Sequence, residues 1–137
     1  MLRICGSHNF VILIRVSNLA QTIEIRTSSM SSLENVRVAV YGTGNFANRT
    51  RIPNLKQCES VELVAVCDAN LEAAAATAEA FEISKTYQDG HQMLEREEFD
   101  VLYSLVPAFA RTDVEVCAAS KGIHIFSEKP QAIKMEV

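Results

Sequence analysis

The chain changes character abruptly at residue 42, and that change limits the folds open to it. Val36 to Tyr41 (VRVAVY) is a β-branched, mainly apolar run, the pattern of a strand buried on both faces. It ends in Gly42-Thr43-Gly44-Asn45-Phe46-Ala47, and a helical pattern starts at about Asn45. A strand that turns through two glycines straight into a helix needs a second strand on the far side of that helix to complete its layer. The chain supplies one at Val61 to Cys67 (VELVAVC). Pro53 would break a single helix across 45–58, so two short helical pieces are expected, with Pro53 near the first turn of the second.

The same alternation continues. Asn70 is a plausible N-cap for a helix over Leu71 to Phe81, with Leu71, Ala74, Ala78 and Phe81 on one face and alanines keeping that face thin against a sheet. Lys85 to Tyr87 reads as a short third strand, Asp89 as the cap of a helix through Leu94, and Val101 to Val106 as a fourth strand stopped by Pro107. Ala110 to Lys121 follows as a helix with Gly122 at its C-terminal cap, then Ile123 to Phe126 as a fifth strand. Five strands separated by helices imply parallel pairing with right-handed crossovers. The fold class expected is α/β, a Rossmann-like doubly wound parallel sheet of about five strands.

At 137 residues the chain is the size of one domain. Residues 33–137 carry the patterning, whereas residues 1–32 hold short apolar stretches and a hydroxyl-rich run, Thr27 to Ser32. Met30 stands where a start codon would naturally fall. We therefore expect residues 1–32 to be a poorly ordered extension or an upstream mis-start. The net charge is −4, with ten basic against fifteen acidic residues in 36–137, and no basic stripe. That balance argues against nucleic acid as a partner. The apolar run Phe10 to Ile14 is too short for a membrane span or a secretory signal, so a soluble cytoplasmic protein is expected. Cys5, Cys58, Cys67 and Cys117 match no zinc or redox spacing and His8, His91 and His124 are scattered, so no metal is expected.

The six residues after the first strand read G-x-G-x-x-A, and each constrained position has a physical task. Gly42 permits the tight turn from strand to helix, Gly44 offers no Cβ to keep a phosphate from the backbone amides, and Ala47 is small enough for the helix to lie on the strand. The helix start presents unpaired N–H groups and the positive end of its dipole. Gly42, Thr43, Gly44, Asn45 and Phe46 are therefore candidate residues for the diphosphate of a dinucleotide. Asp68, at the tip of the second strand, could accept hydrogen bonds from the adenosine ribose hydroxyls and would repel a 2′-phosphate. No Lys or Arg follows it within ten residues, which favours NAD over NADP. A rival role for Asp68 is simply to cap the next helix.

Glu128-Lys129-Pro130 follows the fifth strand, at the edge of the sheet where open α/β folds bind ligands. Together with the glycine turn, Asp68, and the spacing from Pro107 to Gly122 and Glu128, it makes residues 36–137 resemble the N-terminal domain of the Gfo/Idh/MocA oxidoreductases. IPNLKQ after the glycines, TYQD before the third helix and Ser120 to His124 add to the likeness. The resemblance implies hydride transfer to or from a sugar or polyol hydroxyl, with Lys129 as the catalytic residue beside the nicotinamide. It also implies that Lys129, Glu128 near the nicotinamide ribose and Pro107 beside the ring belong to the cofactor site. A cation there would stabilise an alkoxide as hydride leaves. Two positions depart from the family pattern. Ala108 stands in place of its Asn and Arg111 in place of its His. The family's second α/β substrate domain has no counterpart in these residues, so the chain alone is not expected to turn over a substrate. Two alternatives stay open, a non-catalytic dinucleotide-binding regulatory or partner module and a degenerate gene fragment. A bare fifth-strand edge would also favour self-association or a companion chain.

Overall fold

A computed structural model describes residues 35–130. The expected extension over residues 1–32 lies outside the described residues.

Five parallel strands form one sheet in the order β3-β2-β1-β4-β5. They are β1 (Val36–Tyr41), β2 (Val61–Cys67), β3 (Lys85–Tyr87), β4 (Val101–Ser104) and β5 (His124–Ser127). The sheet order steps outward from β1 in one direction and then in the other, which defines a doubly wound sheet. β1 and β2 match their expected limits. Their side chains alternate between two cores, as a period of two requires. Val38, Val40 and Val66 face α1 (Ile52–Lys56) and α2 (Leu71–Phe81). Ala39, Ala65, Cys67 and Leu102 face α3 (Gly90–Arg96) and α4 (Val114–Ser120). Val38, Val40, Val66, Leu102, Ile52 and Met93 are almost fully enclosed. Each contributes roughly 1.5–3 kcal/mol of apolar burial, and together they make a stiff floor for the loops above.

The helix after the glycines divides as expected. Ala47–Arg51 form a π-helical turn, where Ile52 N–H donates five residues back to the Ala47 carbonyl, and α1 follows with Pro53 in its first turn. Proline has no N–H to donate and its ring would press on the carbonyl four residues earlier, so the wide turn relieves the conflict.

Four local expectations need correction. Leu71 is exposed; α2 buries Ala74, Thr77 and Ala78 instead, the Thr77 hydroxyl donating to the Ala73 carbonyl at 2.9 Å. β4 ends at Ser104, opposite Tyr41 and Ser127, and not at Val106; Leu105 N–H, on Tyr41 O, carries the pairing just past it. The expected helix over 110–121 is a 3-10 turn, Ala108–Ala110, an extended Arg111, and α4 from Val114. Arg111 leaves the helix because its guanidinium is drawn to groups across the loop, described below. At the far end of α4, Gly122 takes φ +78° and completes the cap, with Ile123 N–H on the Ala118 carbonyl and Gly122 N–H on that of Ala119. Ile123 is thereby withdrawn from β5.

Candidate functional site

All five strands run the same way, so their C-terminal ends share one rim, and main-chain hydrogen bonds carry the pairing just beyond the strands. Gly42 N–H donates to Cys67 O at 2.7 Å, Asp68 N–H to Tyr87 O at 3.1 Å, Leu105 N–H to Tyr41 O at 2.7 Å and Glu128 N–H to Ser104 O at 3.1 Å. The rim thus gathers the glycine turn, Asp68, the Pro107 loop and Glu128-Lys129 from four separate stretches of sequence.

The two glycines of the turn do different work. Gly42 sits at φ +100°, and a Cβ there would lie 2.9 Å from Val106 N and 3.0 Å from Leu105 C. Glycine is therefore required twice, by the backbone angle and by the close passage of the chain after β4. A Cβ at Gly44 would meet nothing within 4 Å, and the residue is exposed at the helix start. That open position is where an incoming phosphate would have to approach the amides. Asn45 and Phe46 are likewise exposed beside it.

Asp68 braces this turn. Its Oδ2 accepts from Thr43 N at 2.7 Å and from Thr43 Oγ1 at 3.1 Å, while Oδ1 accepts from Asn70 N at 2.9 Å. Thr43 itself is buried. Asn70 is the residue that caps α2, accepting from the amides of Glu72 and Ala73, so Asp68 is not the cap. From the other side, Asn48 Nδ2 donates to Thr43 O at 2.6 Å. Next to Asp68, the Cys67 thiol is pushed up to about 12, chiefly by burial and secondarily by the negative charges of Asp68 and Asp89, so it stays protonated and inert. A groove of about 570 Å³ leads from the turn along α2, floored by Ala73, Ala76, Thr77 and Ala80. The alanines thus serve two surfaces, since Ala74 and Ala78 pack on the sheet while Ala76 and Ala80 line this groove.

On the β4–β5 side the rim is held by side chains. Arg51 Nε donates to Glu128 Oε1 at 2.7 Å and a second guanidinium nitrogen reaches the same oxygen. The guanidinium carbon lies 5.1 Å from the centre of the Phe46 ring and 5.4 Å from that of Phe126. Phe126 in turn stacks on Tyr103 at 4.5 Å. Arg111, almost enclosed, donates from Nε to Val106 O at 3.3 Å and from Nη2 to the Glu128 carbonyl, and pairs with Glu115 at 3.5 Å. The Pro107 loop and the Glu128 segment are therefore tied together. Lys129 is exposed at the end of the described chain, and Pro107 is exposed at the start of the 3-10 turn. Arg51, Asn48 and the tethering role of Arg111 were not foreseen. No spacing in the sequence announces a pair such as Arg51 and Glu128, which lie 77 residues apart.

A parallel doubly wound sheet with a glycine turn opening onto its C-terminal rim defines a dinucleotide-binding domain of the Rossmann class. Residues 36–137 match the family described as an oxidoreductase family with an NAD-binding Rossmann fold. The chain belongs to the Gfo/Idh/MocA oxidoreductases, through their NAD-binding domain. Among curated relatives it is 31% identical over 101 residues to an uncharacterized oxidoreductase of Rhizobium meliloti, covering 74% of this chain and 30% of that protein. It is 32% identical over 101 residues to D-glucoside 3-dehydrogenase of Escherichia coli, covering 74% and 29%. Among solved structures it resembles myo-inositol dehydrogenase from Lactobacillus casei in complex with NAD(H) and myo-inositol, at 32% identity and TM-score 0.66 over 72% of this chain and 29% of that one. A 3-ketoreductase from Actinomadura kijaniata in complex with TDP-benzene and NADP matches at 26% identity and TM-score 0.65, over 72% and 31%. The chain spans about 30% of the length of the relatives it matches. No helix among the described residues is long and apolar enough to cross a membrane.

Proposed function

We propose that this domain binds NAD, in preference to NADP, as the cofactor-binding part of an oxidoreductase acting on a sugar or polyol hydroxyl. The observation that carries the reading is the turn itself: open space over Gly44, at a helix start on the rim, braced by Thr43 and Asp68. The diphosphate would rest on the turn from Gly42 to Phe46, and Asp68 would take the adenosine ribose. A carboxylate offers about four acceptor positions, and three are occupied by Thr43 and Asn70. One ribose hydroxyl can therefore be received with the brace intact. A second would displace the longer Thr43 Oγ1 bond. A 2′-phosphate at that place would meet the carboxylate charge, with Lys85 the next basic residue along the chain.

When bound, NAD supplies the hydride acceptor or donor. The residues of this chain would then do three things. Glu128, steadied by Arg51, would present its charge toward the nicotinamide ribose. Pro107 and its loop would border the ring. Lys129 would lie against the substrate oxygen, its free amine taking the hydroxyl proton as hydride leaves the carbon and the carbonyl forms, and its ammonium returning that proton to the alkoxide when a carbonyl is reduced. The activities of those relatives, on a glucoside and an inositol, support the substrate class. A cytoplasmic location and association through the exposed β5 edge, whose residues His124, Ile125 and Phe126 face solvent, belong to the same reading.

Calorimetric titration with NAD and with NADP tests it, alongside the Gly44→Val and Asp68→Ala variants. NAD should bind more tightly than NADP. Gly44→Val should abolish binding of both while leaving the thermal transition in place. Asp68→Ala should weaken NAD by roughly 1–3 kcal/mol and narrow the gap to NADP. Intact affinity in Gly44→Val would reject the site. Incubation with sugar and polyol panels, with and without a companion polypeptide, then separates a catalytic chain from a binding module.

A further inference from the structure

On the face of the sheet opposite the glycine-turn helices, α3 and α4 bring together three side chains that lie away from the cofactor site, with Cys117 at the margin of the core. His91 Nε2 lies 2.9 Å from Asp113 Oδ1. Asp113 immediately precedes α4 and Cys117 lies one turn further along it, and one ligand atom from each of His91, Asp113 and Cys117 lies within 4.8 Å of the other two. From this grouping we infer a three-ligand site for a divalent zinc-like cation, with a fourth position open to solvent.

The chemistry of the set fits that ion. An imidazole nitrogen, a carboxylate oxygen and a thiolate are the ligand types zinc accepts, and a dication balanced by one carboxylate and one thiolate leaves the site neutral. The distances fit with little movement. In a tetrahedral zinc site the ligand atoms stand roughly 3.4–3.6 Å apart, given metal–ligand lengths of about 2.0–2.3 Å. Closing from 4.8 Å asks for about 1.3 Å of side-chain movement and opening the His91–Asp113 pair from 2.9 Å for about 0.5 Å, and His91 and Cys117 are only partly buried while Asp113 is exposed. The metal would take the place of the hydrogen bond between Nε2 and Oδ1, with His91 binding as the neutral imidazole. Nδ1 then carries the imidazole proton and Cys117 binds as the thiolate, so metal binding releases protons.

The backbone holds these groups in place before any ion arrives. A Cβ at Gly90 would sit 2.8 and 2.9 Å from the two Val114 methyls and 3.3 Å from the Tyr41 ring, so glycine lets α3 and α4 approach this closely. Asp89 fixes the start of α3 by accepting from His91 N at 2.9 Å. At the other end of the helix pair, Lys121 Nζ donates to Leu94 O at 2.8 Å. The site is invisible in the sequence because 22 residues separate His91 from Asp113.

The test uses the full chain. Zinc binding is measured by competition with a chelating dye, and Co²⁺ is added as a spectroscopic stand-in. We expect one equivalent of zinc, a thiolate-to-cobalt charge-transfer band, and a loss of affinity of at least roughly 100-fold in both His91→Ala and Cys117→Ser, since even outer partners of metal ligands are worth 10–100-fold. Cys58→Ser, which removes an exposed thiol elsewhere, should leave binding unchanged. A second measurement needs no variant: zinc should slow alkylation of Cys117 while Cys58 in the same sample reacts at its ordinary rate. Binding that survives both ligand substitutions, binding lost with Cys58 alone, or equal alkylation of Cys117 with and without zinc would each overturn the site. Dinucleotide affinity is read in parallel, so failure here is distinguishable from failure of the cofactor reading.

Discussion

The glycine turn and the Glu128 segment sit at the same end of one sheet, yet they are held by opposite means. At the turn the main chain makes the decisive contacts: Gly42 threads between β1 and the chain after β4, and Thr43 N–H is fixed on Asp68. At Glu128 the decisive contacts are made by arginine side chains, Arg51 on the carboxylate and Arg111 on the main-chain carbonyl. A main-chain site leaves its mark in residue types, because only glycine tolerates the geometry. A side-chain site leaves almost none, because many pairs of residues could meet there.

The largest expected effect separates the two glycines. Gly42→Val places a branched side chain at φ +100° and about 2.9 Å from the backbone of Val106. Positive-φ strain and overpacking together should destabilise the fold by roughly 2–5 kcal/mol. Gly44→Val faces open space and should change stability by no more than roughly 0.5 kcal/mol, although it removes the phosphate's approach. Urea denaturation without ligand measures both. Equal losses would break the distinction between a glycine kept for folding and one kept for binding.

The same contrast accounts for what was legible in the sequence. β1 and β2 could be bounded correctly because a strand buried on both faces is one continuous apolar run, and the glycines mark its end. The split helix was readable from Pro53 alone. Leu71 misled because hydrophobicity at helical spacing says which residues could face the sheet, and Thr77 took that place by returning its hydroxyl to its own helix. Residues 110–113 read as the start of a helix over Ala110 to Lys121, and they are not α-helical. There a tertiary demand, the pull on Arg111 from Val106, Glu115 and Glu128, overrides propensity. In the proposed cofactor site, Gly42, Gly44 and Asp68 are candidates that chemistry at fixed spacing singles out. Arg51, Asn48 and the His91 grouping are not, because each depends on packing between distant segments.

The middle-sized effect lies at the side-chain rim. Arg51 is about one-third exposed, Glu128 less, and the guanidinium is also held over two aromatic rings. A double-mutant cycle of Arg51→Gln and Glu128→Gln should give a coupling of roughly 0.5–3 kcal/mol in unfolding free energy. NAD affinity should respond more to Glu128→Gln than to the removal of Arg51, because only the carboxylate faces the proposed ribose. No measurable coupling would make the rim as independent of side-chain pairing as the turn.

The smallest effect comes from a side-chain pair at the other end of the sheet, which shows how much such pairs matter when water reaches them. Asp100 accepts from Arg37 N at 2.9 Å and from its guanidinium at 3.1 Å, and these bonds hold the Asp100 carboxyl below its ordinary 3.8. A depressed native value means that the contribution is complete above the ordinary value and lost as pH falls through the native one. Both partners are about 40% exposed, so solvent screens much of it. Denaturation midpoints of the natural chain and Asp100→Asn should therefore differ slightly and by a constant amount near neutrality. The difference should shrink on acidification from roughly pH 5 downward as the carboxylate titrates. A gap that widened on acidification would have the wrong sign for a carboxylate stabilised in the native state. A gap as large as the Arg51–Glu128 coupling would mean that burial is not what separates the rim from an ordinary surface pair.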